Sequence, residues 1–142
     1  MSSQSKKSKR KNGLEPITKI SISGYKSIVQ KQSVEVRPLT ILAGANSSGK
    51  SSIVQPLLLL KQTLESSYDP GPLLLNGPNV KFTSVDQMFS KTGEKGSTNS
   101  FSVELHVNDG NLKLSFTKSK IERLELSEMS VNIGKSELIL RP

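Results

Sequence analysis

The sequence has no cysteine and a single histidine, His106. Disulfides and thiolate metal sites are excluded, and nothing ties the chain to an oxidising compartment. One histidine without cysteine leaves too few soft ligands for a zinc site. Apolar residues are also scarce, at 33%, so part of the chain is expected to stay unpacked. No apolar run approaches the ~20 residues of a bilayer span. The N-terminus, rich in serine and lysine, lacks the apolar core of a secretory signal. The expectation is a cytoplasmic protein with no membrane partner, its 142 residues making one domain or one lobe of a larger one.

Acidic residues are few as well: 12 stand against 20 basic ones, for a net charge of +8. Lys6, Lys7, Lys9, Arg10 and Lys11 supply five of the eight charges, and beyond them the chain is only mildly basic. Residues 1–13 read as a disordered basic arm, without apolar residues after Met1 to fold around. Such an arm either contacts nucleic-acid phosphates or serves as a solubilising tail, and it has no aromatic residues for base stacking.

Residues 14–142 read as the folded unit. Ile17 to Ser23 alternates and is rich in β-branched residues, which predicts a strand. A second strand is expected through Val34 and Val36. Leu39 to Ala43 is a short apolar run of the kind that forms a buried strand. A helix is expected over roughly Lys50 to Ser66, with Ile53, Leu57, Leu60 and Leu64 at helical spacing and Val54 and Leu58 widening the face. Pro56 falls inside it and is expected to bend or weaken its first turns. Residues 17–66 thus carry strands, a loop and the first helix. Residues 67–142 look mostly antiparallel β: Phe101 to Val107 and Leu112 to Phe116 alternate around turn residues Asn108-Asp109-Gly110-Asn111, a hairpin signal. Ile121 to Ile133 and Glu137 to Leu140 continue as strands, and Lys91 to Ser100 reads as a flexible polar loop.

Between the apolar run and the helix lies Gly44-Ala45-Asn46-Ser47-Ser48-Gly49-Lys50-Ser51, a full Gly-x-x-x-x-Gly-Lys-Ser pattern. A triphosphate needs several donors converging on its oxygens. A loop of small residues can curl tightly enough to offer consecutive backbone N–H groups, and the following helix aims its positive end at the anion. The candidate phosphate-binding set is Gly44, Asn46, Ser47, Ser48, Gly49, Lys50, Ser51 and Ser52. In this chemistry Lys50 bridges the β- and γ-phosphates, Ser51 ligands Mg²⁺ and Ser52 reaches the α-phosphate. The implied cofactors are ATP and Mg²⁺.

The words Ile20-Ser21-Ile22-Ser23-Gly24-Tyr25-Lys26-Ser27-Ile28 and Leu39-Thr40-Ile41-Leu42-Ala43-Gly44-Ala45-Asn46-Ser47-Ser48-Gly49-Lys50-Ser51-Ser52 carry a resemblance. The stretch Ile17 to Leu64 resembles the N-terminal lobe of ABC-type ATPases of the SMC, RecF and OLD group, most of all bacterial OLD-like AAA family ATPases. The resemblance implies an α/β fold, a P-loop NTPase lobe of the ABC/SMC-head type with an antiparallel β-rich subdomain. It implies that Lys26 approaches the nucleotide from the first turn, against the plain reading of an exposed turn lysine. It also implies that Gln87 lies where a Q-loop residue would help hold Mg²⁺, against the plain reading of an exposed loop glutamine. Such proteins act in DNA repair or phage defence, and two heads sandwich ATP. The implied partners are a second lobe or homodimer head, DNA, and an effector such as a nuclease.

Hydrolysis needs a Walker B aspartate and a carboxylate that polarises water. None of the acidic residues follows four apolar ones, and no Leu-Ser-Gly-Gly type signature occurs. The expectation is a lobe without its C-terminal half, catalytically incomplete by itself. Two readings stay open: the ATP-binding lobe of a DNA-associated ATPase, or a non-hydrolysing module in which nucleotide gates assembly with an effector. A small GTPase is excluded by the lack of Asn-Lys-x-Asp and Asp-x-x-Gly. A small-molecule kinase is disfavoured because Arg10, Arg37, Arg123 and Arg141 do not cluster.

Overall fold

The computed structural model describes residues 15–46, 48–92 and 96–142. The basic arm and Ser47 lie outside the described residues. The element order is β1 (Lys19–Ser23), β2 (Gln32–Glu35), α1 (Lys50–Leu64), a 3₁₀ turn (Val85–Met88), β3 (Lys91–Thr92), β4 (Gly96–Ser97), β5 (Ser100–Val107), β6 (Gly110–Lys118), β7 (Leu124–Ile133) and β8 (Ser136–Leu140). A six-stranded sheet runs in the order β2-β1-β5-β6-β7-β8, and every pairing in it is antiparallel. The fold is therefore a sheet-dominated mixture, α/β only in the coarse sense that one helix accompanies the sheet. No helix among the described residues is long and apolar enough to cross a membrane.

Alternation builds the sheet. Ile20 and Ile22 of β1 oppose Leu105 and Val103 of β5, which in turn oppose Leu112 and Leu114 of β6. Phe101 opposes Phe116 and stacks on it at 5.0 Å, while Tyr25 and Phe89 meet the Phe101 ring edge-on at 5.3 and 5.8 Å. These rings and aliphatics form one face of the core. The opposite pleat is polar. Ser21 bonds Ser33 and Ser23 bonds Ser102, while Glu104 receives Lys31 at 2.5 Å and Asn111 at 2.9 Å. His106 Nε2 lies 3.3 Å from Glu104 Oε1 but out of line for a hydrogen bond, so this buried nitrogen is unpartnered. The hairpin forms as expected, Val107 facing Gly110 across Asn108-Asp109.

Several expectations need correction. Leu39 to Ala43 is not a strand. A strand needs neighbours for its N–H and C=O groups, and among the described residues none flanks this segment. Arg37 instead donates its N–H to Thr40 Oγ1 at 2.9 Å, a local turn that competes with extension. Leu39 and Ile41 are consequently 78% and 77% exposed.

In α1 the buried stripe is Ser52, Pro56, Leu59 and Gln62, not the one through Ile53, Leu57, Leu60 and Leu64. Ile53, Leu57, Leu58 and Leu60 are only partly buried, and Leu64 is exposed. The helix stays continuous through Pro56, whose ring is buried. Finally, β7 begins at Leu124 because Glu122 adopts a left-handed φ of 60° and closes a turn onto Ser119. Lys91 to Ser100 contains the short β3–β4 pair.

Beyond α1, residues 65–90 form a connector with little regular structure. Gln62 organises it. Its amide donates to Leu74 and Val80 carbonyls at 2.5 and 3.1 Å and accepts from Asn79 and Val80 N–H at 3.2 and 3.0 Å. Both ends of a buried amide are thus satisfied by backbone, which is what burying it requires. Gly77 leaves the room: a Cβ there would meet the Gln62 amide carbon.

Candidate functional site

The site is assembled by α1 and two loops held against it. β1 ends at Gly24, and residues Tyr25 to Ile28 close a turn through reciprocal backbone hydrogen bonds of 3.0 and 2.8 Å. The turn is pinned to the connector, where Lys26 N–H donates to the Met88 carbonyl at 2.9 Å and Ser90 N–H to that of Gly24 at 2.9 Å. Lys26 holds a left-handed φ of 49°, costing about 1 kcal/mol or more for a residue with a Cβ. Such strain persists because Tyr25 beside it is fully buried. Burial pushes the Tyr25 phenol pKa up, so it stays protonated and donates to Gln55 Oε1 at 3.4 Å. Lys26 Nζ donates to the same oxygen at 3.0 Å and lies 5.1 Å from the centre of the Phe82 ring.

The phosphate loop leans on this turn. Gly49 caps α1 with a left-handed φ of 87° and no side-chain cap, and the first turn of the helix carries no acidic residue. The leading N–H groups of α1 therefore have neither a side-chain acceptor nor a negative neighbour, the condition in which a helix end favours an anion. A Cβ at Gly49 would lie 2.9 Å from Ser27 Oγ, and one at Gly44, whose φ is 152°, would lie 2.8 Å from Ser48 Oγ. Both glycines are thus required by close approach as well as by backbone angle.

Lys50 Nζ folds back over the loop onto the carbonyls of Gly44 at 2.7 Å and Ala45 at 2.6 Å, with Ser48 Oγ at 3.3 Å. Asn46, Ser48 and Ser51 are exposed along the same loop. Ser52 turns inward instead. Its hydroxyl is buried and bonded to Ser27 Oγ at 2.9 Å. These features suit a phosphate chain with Mg²⁺: free backbone donors, a cation at the loop's centre, and an accessible Ser51 hydroxyl for the metal.

Two cavities flank the loop. One, of about 560 Å³, lies between β2 and the Ile41–Ala43 segment and is bordered by Ser48, Gly49 and Lys50. The other, of about 570 Å³, opens beside Lys50 and Ser51. Its apolar lining is Leu42, Val54, Leu58, Val80 and Phe82, and Gln55, Asn79, Lys26 and Lys81 also border it. Among the described residues, no carboxylate lines it.

Lys26 is therefore brought into one cavity with Lys50 and Ser51. Gln87 is not. It borders a neighbouring cavity of about 650 Å³ that Lys26 and Lys81 also reach, and its amide is bonded at 3.1 Å to both the N–H and the hydroxyl of Thr83. Ser27, Gln55, Gln62 and Lys81 have structural parts at this site that sequence reasoning missed. The seven-residue spacing of Gln55 and Gln62, two helical turns on one side of α1, was the available signal.

A family model described as AAA ATPase domain matches residues 16–138. The matched span takes in the first turn, the phosphate loop, α1 and the sheet as far as β8. A search of curated proteins found none that matches the chain.

Proposed function

The chain belongs to the AAA ATPase domain family, and from that premise we propose that it is the ATP-binding lobe of an SMC/RecF/OLD-like ATPase. The observation that carries this reading is the phosphate loop. Two glycines in left-handed conformations and an uncapped helix end surround the Lys50 ammonium. A phosphate chain would replace the Gly44 and Ala45 carbonyls as the acceptors of Lys50, and Ser51 would hold Mg²⁺. The metal supplies charge neutralisation across the β- and γ-phosphates when bound. Lys26 would add a second cation from the first turn.

The lobe reading also accounts for the exposed apolar groups. Leu39 and Ile41, ahead of the phosphate loop, and Val54 and Leu64, on α1, are exposed, and a second lobe or homodimer head docked over them would bury them. Such a lobe would bring the carboxylates that the cavity beside Ser51 lacks. In this reading the assembled protein works in DNA repair or phage defence, with DNA and an effector such as a nuclease as partners. The carboxylate-free cavity equally supports the second reading, a non-hydrolysing module in which ATP gates assembly.

Titration calorimetry with Mg²⁺ tests the core of the proposal. ATP is expected to bind the wild-type chain, and Lys50→Ala to weaken it at least about tenfold, the worth of one charge-assisted hydrogen bond. Equal binding by both proteins would overturn it. Turnover by the 142-residue chain is expected to be negligible in a phosphate-release assay. Robust hydrolysis would sink the incomplete-lobe reading and leave the binding claim intact.

A further inference from the structure

The cavity beside Lys50 and Ser51 has a cation on its far wall that the phosphate-loop pattern does not include. Lys81 sits between Val80 and Phe82, which are buried while Lys81 itself is exposed. Its position is fixed by backbone. Gly77 N–H donates to the Val80 carbonyl at 3.1 Å, Phe82 N–H donates to the Leu75 carbonyl at 2.8 Å, and Asn76 bridges Lys81 in antiparallel fashion. Gln62 then ties this hairpin-like loop to α1 through Val80 and Asn79. The helix that starts at the phosphate loop therefore also sets where Lys81 stands. Among the described residues, Lys81 has no carboxylate within ion-pair distance; of the three cavities it borders, one also has Asp86 and one Glu65, whereas the one beside Lys50 and Ser51 has no acidic side chain.

We infer that Lys81, with Lys26, recognises the terminal phosphate of a nucleoside triphosphate and makes the site prefer triphosphate over diphosphate. This rests on the reading that the loop from Gly44 to Ser51 grips the phosphate chain. In that grip the lysine of the loop lies at the β- and γ-phosphates and the serine at the metal between them. A cavity bordered by Lys50 and Ser51 is thus the one into which the last phosphate projects. At about 570 Å³ it is large enough for a small ligand group. Its free cations answer the extra negative charge that a triphosphate has and a diphosphate lacks. Lys26 is engaged by Gln55 and by the Phe82 ring, which fixes its ammonium. Lys81 has no ion-pair partner among the described residues and is exposed, so its long side chain can move onto the phosphate.

The test is calorimetry of the full chain with Mg²⁺ at about 0.15 M salt, where long-range charge effects are screened within about 8 Å. The ligands are ATP, ADP and inorganic tripolyphosphate, and the proteins are wild type, Lys81→Met, Lys81→Arg and Lys50→Ala. Lys81→Met is expected to lose about tenfold for ATP and tripolyphosphate and less than about twofold for ADP, with Lys81→Arg restoring the preference. Lys81 is exposed, so the folded state should survive substitution, and circular dichroism checks it. Unchanged ATP affinity in Lys81→Met, or equal losses for ATP and ADP, would overturn the inference. If Lys50→Ala weakens binding while Lys81→Met does not, the phosphate-loop reading stands and the role of Lys81 alone falls. If wild type binds none of the three ligands, both fall together.

Discussion

At the scale of single residues, the curl of the loop was legible because spacing fixes it: Gly44 and Gly49 take positive φ, and Lys50 folds back onto the Gly44 and Ala45 carbonyls. Gly44, Gly49, Lys50 and Ser51 lie within one short stretch, and each has a task that few residue types can perform. Ser27 and Lys81 were not legible, because what gives them meaning is a neighbour brought from elsewhere in the chain: Ser52 for Ser27, and the Lys50–Ser51 cavity for Lys81. Glu104 is a similar case. Burial pushes its carboxyl pKa up, but the hydrogen bond from Lys31 and the charges of Lys31, His106 and Lys113 outweigh burial and hold it below the ordinary value. A carboxyl with a depressed folded pKa adds stability above its unfolded pKa, about 4.3 for glutamate, and that contribution is lost as pH falls through the folded value. Glu104→Gln is therefore expected to cost about 1 kcal/mol at pH 7. Urea unfolding curves of wild type and variant should lie closer together at an acidic pH below the unfolded glutamate value than at pH 7. A gap of the same size at both pH values would show that the charge is not responsible.

At the scale of elements, α1 and the hairpin β5–β6 were foreseeable, since hydrophobic period and turn residues declare them. The side that α1 buries was not. Apolar counting favours the stripe through Ile53 and Leu57, whereas the buried one contains Ser52 and Gln62, polar residues admitted only because loops supply their partners. Leu39 to Ala43 failed as a strand for the converse reason. Its composition suits a buried strand, but pairing partners decide whether one forms. The Gln62 clamp gives the element-scale prediction. Gln62→Leu keeps the volume roughly but leaves the Val80 N–H without its acceptor and the Leu74 carbonyl without its donor, which is expected to cost about 3 kcal/mol. The change would be read as a lowered urea midpoint. A loss below about 1 kcal/mol would mean that the connector is held by Leu73, Val80 and Phe82 packing instead.

For the whole molecule, the strand order could not be read from sequence, because β1 pairs with β5 across the entire phosphate loop, helix and connector. That long-range pairing places the loop and the meander on one framework. Among the described residues it also leaves the sheet open at both margins, β2 on one and β8 on the other. All five residues of β8 are exposed, among them Leu138, Ile139 and Leu140. An unpaired row of N–H and C=O groups beside apolar side chains is a template for another strand. In solution this edge is expected to promote association as concentration rises. Light scattering of the wild-type chain is expected to rise with concentration, and Ile139→Lys to suppress the rise while shifting unfolding by no more than about 0.5 kcal/mol. Identical scattering by the two proteins would clear β8 of the effect. Because β8 lies at the margin opposite β2, and β2 borders one of the two cavities beside the phosphate loop, substitutions on β8 are expected to change association while leaving nucleotide affinity as it is.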